Sequence, residues 1–195
     1  MSGSRLRRRV CSCVAMTLGL WLAVPPAVDS QTANPVEVKA AFLYNFAKFV
    51  EWPPDATSGM PTINVGVVGN DAMGEALRAV VRDKSIGGKG LVVRKPANLD
   101  DLAGLHLLFV GEAEKPRVAD ILRRLEGATV LTVSDIDRFC LMGGTIELVV
   151  ENSHVRFDVR LDAAQKSRLK VSSKLLGLAR TVHGANNAAK QGDRE

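Results

Sequence analysis

The one grouping in this chain with the residue types for nucleophilic catalysis is Cys140, followed by Gly143, Gly144 and His154. In such a site a thiolate attacks, the imidazole takes up the proton and backbone N–H groups of the glycines hold an oxyanion. Nothing near Cys140 in the sequence marks a lowered thiol pKa, and Gly143–Gly144 read equally well as a turn into a strand at Thr145. The chain has no P-loop, GxGxxG, GxSxG or HExxH pattern, and His106, His154 and His183 are scattered, with no cysteine pairing. The expectation is a protein that is not an enzyme and uses no cofactor and no metal.

Recognition is the other chemistry to weigh. In open parallel sheets, ligands bind beyond the carboxyl ends of the strands. Those positions here are Asn70, Asp71, Gly111, Glu112, Ser134 and Asp135, the expected lining of a small-ligand crevice. The same residue types also cap helices and form turns. Five of the nine aromatic residues, Phe42, Tyr44, Phe46, Phe49 and Trp52, crowd into one helix-length segment and its exit. Phe42, Phe46 and Phe49 are expected in the core. Tyr44 and Trp52 fall off the cleanest stripe and are expected at a dimer or partner surface, where amphipathic aromatics are enriched. Lys170, Lys174, Arg180 and His183 line the closing segment, either to meet an acidic partner or anionic headgroups or as a solvated helix face.

The elements that must position these groups follow from periodicity. Spacings of three and four from Asn34 to Val50 predict an amphipathic helix with Pro35 early in it and Pro53–Pro54 beyond its end. Ile63–Val68 reads as a strand, followed by a helical pattern through Met73, Leu77, Val80 and Val81. Further strands are expected at Leu91–Val93, His106–Val110 and Thr129–Val133, with short helices at Leu99–Leu102 and Pro116–Leu125. Thr145–Val150 and Val155–Leu161 form a hairpin, and Ala163–Leu169 and Ser172–Val182 read as closing helices. Apolar strands alternating with helices imply an α/β fold: a single domain with a largely parallel sheet, helices on both faces and a C-terminal hairpin.

Residues 1–30 read as a signal peptide, because Arg5, Arg7, Arg8 and Arg9 precede an apolar run, Val10–Val24, that is short for a bilayer span. A retained anchor is the alternative. Residues 31–183 then form the domain and 184–195 a disordered tail without large apolar anchors. Without residues 1–30 the net charge falls from +5 to +2, which argues against nucleic acid as a partner. Of three cysteines only Cys140 lies beyond the signal. It is a buried small hydrophobe, a free thiol or a link between chains.

Two stretches, VKAAFLYNFAKFVEWPP (Val38 to Pro54) and VLTVSDIDRFCLMGGTIELVVENSHVRFDVRLDAAQKSRLKVSSKLLGLARTV (Val130 to Val182), resemble the YfiR family of exported bacterial proteins. INVGVVGNDAMGEAL and KGLVVRKPANLDDLAGLHLLFVG between them are also similar. The resemblance implies a periplasmic, compact α/β protein, often a homodimer. It implies a regulator that binds the periplasmic portion of an inner-membrane diguanylate cyclase and represses it, lowering cyclic di-GMP and biofilm formation. An outer-membrane lipoprotein is implied as a sequestering partner. Tyr44, Trp52, Cys140 and Arg180 are the expected partner or dimer residues. The family's best-known member carries paired cysteines, whereas Cys140 stands alone here, so a Cys140–Cys140 link between protomers replaces an internal disulfide as the redox hypothesis. The alternative function is a periplasmic small-ligand sensor using the strand-end crevice.

Overall fold

A computed structural model of the chain describes residues 34–184. The expected signal peptide and everything after Gly184 in the expected tail lie outside the described residues.

The first helix, α1 (Pro35–Phe49), starts where Asn34 accepts a hydrogen bond from the Val36 N–H at 3.0 Å and Pro35 presets the first turn. It buries Ala40, Leu43, Phe46 and Ala47. The Phe46 ring meets Phe157 edge-on, with centroids 5.0 Å apart. Burying a side chain such as Leu43 or Phe46 contributes about 2 kcal/mol. The chain leaves α1 through a two-residue strand, β1 (Val50–Glu51), and one turn of helix, α2 (Pro54–Thr57).

The parallel core follows as β2 (Thr62–Val68), α3 (Asp71–Val81), β3 (Ser85–Ile86), β4 (Lys89–Arg94), β5 (Leu107–Val110), α4 (Val118–Arg124) and β6 (Leu131–Ser134). Short 3-10 turns at Asp100–Leu102 and Glu112–Arg117 precede β5 and α4. The chain closes with α5 (Phe139–Met142), β7 (Ile146–Glu151), β8 (His154–Arg160), α6 (Leu161–Lys166), β9 (Lys170–Val171), α7 (Ser173–Leu176) and β10 (Thr181–His183).

Eight strands form one sheet in the order β10-β8-β7-β6-β5-β2-β4-β3, and β1 pairs with β9 apart from it. β4, β2, β5, β6 and β7 run parallel, while β8 returns antiparallel to β7 as the expected hairpin. The strand order reverses between β2 and β5, so their carboxyl ends mark the topological switch point. Side-chain alternation divides the core by face. Leu107 and Phe109 join the cluster under α1 and α3, whereas Leu108 and Val110 join Val118, Ile121 and Phe139 on the opposite face. The architecture is the mixed α/β domain with a mostly parallel sheet that the sequence implies.

The closing segment differs from expectation. The two expected helices are shorter than read, α6 and α7, and two strands, β9 and β10, take the rest of their span. Arg168 takes a left-handed backbone conformation (φ 56°), and Lys170–Val171 pair with Glu51–Val50. Thr181–His183 add a parallel strand to β8. Cross-chain pairing overrides local helical periodicity here, so Lys170, Lys174, Arg180 and His183 do not share one helix face.

Candidate partner-binding face

The strand-end residues do not enclose a common crevice. Gly69 and Gly111 pack so closely at the switch point that a Cβ on Gly111 would lie 2.6 Å from the Gly69 carbonyl oxygen. Each polar neighbour already has a partner within the protein, although among the described residues Asp135 Oδ1 is buried without one. The Asn70 side chain accepts the Met73 N–H at 3.0 Å, capping α3. Asp71 pairs with Lys95 at 2.6 Å, and Glu112 with Lys115 at 3.0 Å. Ser134 donates to the Val110 carbonyl at 2.6 Å and accepts from the Ile136 N–H at 3.0 Å. Asp135 pairs with Lys39 of α1 at 2.6 Å. Asn70 and Asp71 line a cavity of about 170 Å³ between α3 and β4, but Glu112, Ser134 and Asp135 are not in its wall.

The aromatic division also differs. Phe46 is fully buried, while Phe42, Tyr44, Phe49 and Trp52 are all half-buried and pack on the same cluster. Tyr44 is covered by Lys84, whose ammonium lies 4.7 Å from the ring centre. Trp52 donates its indole N–H to the His106 carbonyl at 3.2 Å, so its polar edge faces inward.

Cys140 is 1% exposed. Its sulfur lies 3.7 Å from the carbonyl oxygens of Thr145 and Asp158, and burial, with Glu147 and Asp158 nearby, pushes the thiol up to about 12. A thiol so placed is neither a nucleophile nor able to reach a second chain, and the Cys140–Cys140 link expected from sequence has no surface on which to form. His154 is exposed at the hairpin tip, its Nδ1 2.7 Å from the Asn152 carbonyl oxygen, well away from Cys140 along β8. Among the described residues no cluster of three or more His, Cys, Asp or Glu side chains is gathered to hold a metal.

The residues around Cys140 build a platform. Arg138 enters α5 with a left-handed backbone (φ 62°), and the buried Glu147 carboxylate accepts the N–H groups of Arg138 at 3.0 Å and Cys140 at 3.1 Å. At the other end of the turn, Arg160 donates to the Cys140 carbonyl at 2.8 Å and clasps Asp162 at 2.9 and 3.2 Å. Gly144 is tied by its neighbour, since a Cβ there would sit 2.0 Å from the Phe139 ring. Thr145 donates its N–H to the Thr132 hydroxyl at 3.0 Å. A one-turn helix has little stability of its own, so these contacts fix it.

What the fixed turn holds outward is apolar: Leu141 is 64% exposed and Met142 47%. Met142 borders a groove of about 480 Å³ whose walls include Leu122, Leu125, Ala163, Arg160 and Lys166. An apolar pair on a rigid turn beside an amphipathic groove has the makings of a docking surface. Arg180 belongs to a different network at the sheet edge, where it binds Asp158 at 2.9 and 2.6 Å and also pairs with Glu151. Tyr44, Trp52, Cys140 and Arg180 therefore do not form one surface. Sequence reasoning missed Leu141, Met142 and Glu147. The available signal was a lone carboxylate, Glu147, between Ile146 and Leu148 in an otherwise apolar strand.

Solved structures share this fold at low identity. A conserved domain protein from Vibrio cholerae O1 biovar El Tor strain N16961 superposes with a TM-score of 0.52 at 12% identity, over 76% of this chain and 60% of that one. An ABC domain in complex with L-Trp from Streptococcus pneumonia gives a TM-score of 0.54 at 10% identity, over 73% of this chain and 60% of that one. This chain thus spans about 60% of the length of each, and the likeness is one of fold. The sequence model described as YfiR/HmsC-like matches residues 36–180, from the first turn of α1 to Arg180. The chain belongs to the YfiR/HmsC-like family, known as periplasmic regulators of cyclic di-GMP signalling.

Proposed function

We propose that this protein acts in the periplasm as a non-catalytic binding module that docks on the periplasmic portion of an inner-membrane diguanylate cyclase and represses it, lowering cyclic di-GMP and biofilm formation. Family membership supports the signalling context. The observation that carries the binding mode is the exposed Leu141–Met142 pair, held by Glu147 and Arg160 on a turn too short to persist alone. Exposed apolar groups on a preorganised scaffold mark interaction surfaces, and methionine is enriched at interface cores. Export by a cleaved signal peptide, homodimerisation and sequestration by an outer-membrane lipoprotein belong to the same proposal.

The deciding experiment is a pull-down from solubilised membranes with residues 31–195, with retained proteins identified by mass spectrometry. Recovery of a membrane cyclase with a periplasmic domain, lost with Leu141→Asp, supports the reading. Recovery of a different class of membrane protein, or unchanged cyclic di-GMP after gene deletion under several growth conditions, overturns it.

A further inference from the structure

The groove beside Met142 opens at the amino ends of β6 and β7, the opposite end of the sheet from the switch point. Its volume of about 480 Å³ falls within the roughly 300–1,000 Å³ of small-molecule sites. Val130 leads into β6 and Thr145 into β7, and the Thr145 carbonyl accepts the N–H of Arg160, the last residue of β8, at 2.8 Å. Leu122 and Leu125 at the end of α4, with Ala163 of α6, supply the apolar walls.

The inner wall carries a donor without an acceptor. Side-chain alternation turns Thr132 away from the face of Leu131 and Val133, and its hydroxyl lies 3.2 Å from that of Thr145. Thr132 Oγ1 also accepts the Thr145 N–H at 3.0 Å. Among the described residues neither hydroxyl has a further partner. If Thr132 donates to Thr145, the Thr145 hydroxyl hydrogen is unmatched; if Thr145 donates to Thr132, the Thr132 hydrogen is. Both residues line the groove, and they are only 5% and 2% exposed. A buried hydroxyl hydrogen in such a place calls for an acceptor from whatever fills the groove.

The charges around the groove cancel. Arg160 clasps Asp162, so that pair is satisfied within the protein. Lys166 of α6 and Glu126 after α4 are exposed and add one charge of each sign. A lining with no net charge gives an ionised guest nothing to offset its lost hydration, whereas an uncharged guest loses little on entry. We propose that this groove is a binding site for a small uncharged amphipathic molecule, an apolar body that carries a carbonyl oxygen. The oxygen accepts from the Thr132–Thr145 hydroxyl pair, and the body lies against Leu122, Leu125, Val130 and Ala163. The site stands whether or not the Leu141–Met142 face docks a membrane protein.

Amide shifts of isotope-labelled residues 31–195, titrated separately with benzamide, toluene and benzoate, test this. Benzamide offers a ring and a carbonyl, toluene a ring alone, and benzoate a ring with a charge. Benzamide should move the amides of Thr132, Thr145, Ala163 and Lys166 saturably and bind about tenfold more tightly than toluene, the effect of one matched hydrogen bond. Benzoate should bind more weakly than benzamide. Thr132→Val combined with Thr145→Val should bring benzamide down to the affinity of toluene. No saturable shift in the groove, equal binding of benzamide and toluene, tighter binding of benzoate, or an undiminished preference for benzamide in the folded double variant overturns the proposal. Should the double variant fail to fold, nuclear Overhauser contacts between benzamide and the methyl groups of Thr145 and Ala163 in the unaltered protein decide. Their presence supports the site, and their absence at saturation refutes it.

Discussion

Glu147 and Asp158 stand directly opposite each other across β7 and β8, both buried, and turn to different partners. Like charges so placed repel. The arrangement holds because Glu147 is occupied by the backbone N–H groups of Arg138 and Cys140, and Asp158 by the guanidinium of Arg180. One carboxylate organises the α5 platform and the other fastens β10 to the sheet.

Removing the first device should loosen the platform. Glu147→Gln puts an amide N–H₂ where one acceptor stood, leaving a buried backbone donor unmatched at a cost of about 1–3 kcal/mol. Urea unfolding should show that loss with an unchanged m-value. A midpoint equal to that of the unaltered protein would mean that the α5 turn is held by Arg160 alone.

The second device makes stability depend on acid. Arg180 holds the Asp158 carboxyl below its ordinary range. A carboxyl whose folded pKa is depressed contributes its full stabilisation above its unfolded value, about 3.9, and loses it as the pH falls through the folded pKa. Arg180→Met leaves the carboxyl buried without its cation, which should cost about 2–4 kcal/mol at neutral pH. It should also move the acid transition to higher pH, as followed by circular dichroism. An acid limb that overlays that of the unaltered protein would show that Asp158 does not govern it.

Gly144 tests the packing of the same region. A methyl group there overlaps the Phe139 ring, which is wholly buried. Gly144→Ala should therefore destabilise by more than about 2 kcal/mol, at the upper part of the usual range for overpacking. Thermal unfolding measures it directly. A shift within a degree of the unaltered protein would mean that Phe139 relocates freely.

How much of this was legible in advance differs by element. The spacing of Leu43 and Phe46 makes α1 legible, and the β-branched run Ile63–Val68 makes β2 legible, because both bury a regular face. The closing segment carries less helix than its sequence suggests, because the pairing of Val171 with Val50 depends on a residue more than a hundred positions away. The crevice failed for a related reason: Asn70, Ser134 and Asp135 have the chemistry of ligand contacts, but the close approach of Gly69 to Gly111 is a tertiary fact. The face of Leu141 and Met142 was hidden because exposure of an apolar residue is not written in its neighbours.

Cys140 should behave as a sealed thiol. With its pKa pushed up to about 12, it should not react with Ellman's reagent at about pH 8 in the folded protein. In residues 31–195, where Cys140 is the single cysteine, one equivalent should react once denaturant is added. Non-reducing gels should show no cross-linked species that disappears in Cys140→Ala. Rapid labelling of the native protein would require that α5 opens on the timescale of the reaction, and would contradict the rigid platform.

Leu141 and Met142 separate binding from folding. Both are exposed, so Leu141→Asp and Met142→Asp should change unfolding free energy by no more than about 0.5 kcal/mol. If the pair forms the centre of an interface, each should weaken partner capture by tenfold or more, because truncating or charging an apolar anchor costs about 1.4 kcal/mol or more of binding. The substitutions should raise cyclic di-GMP in cells to the level of the deletion while the protein remains abundant. Full capture by both variants would move the docking surface elsewhere, and the sheet-edge network of Arg180 with Glu151 would be the next place to substitute.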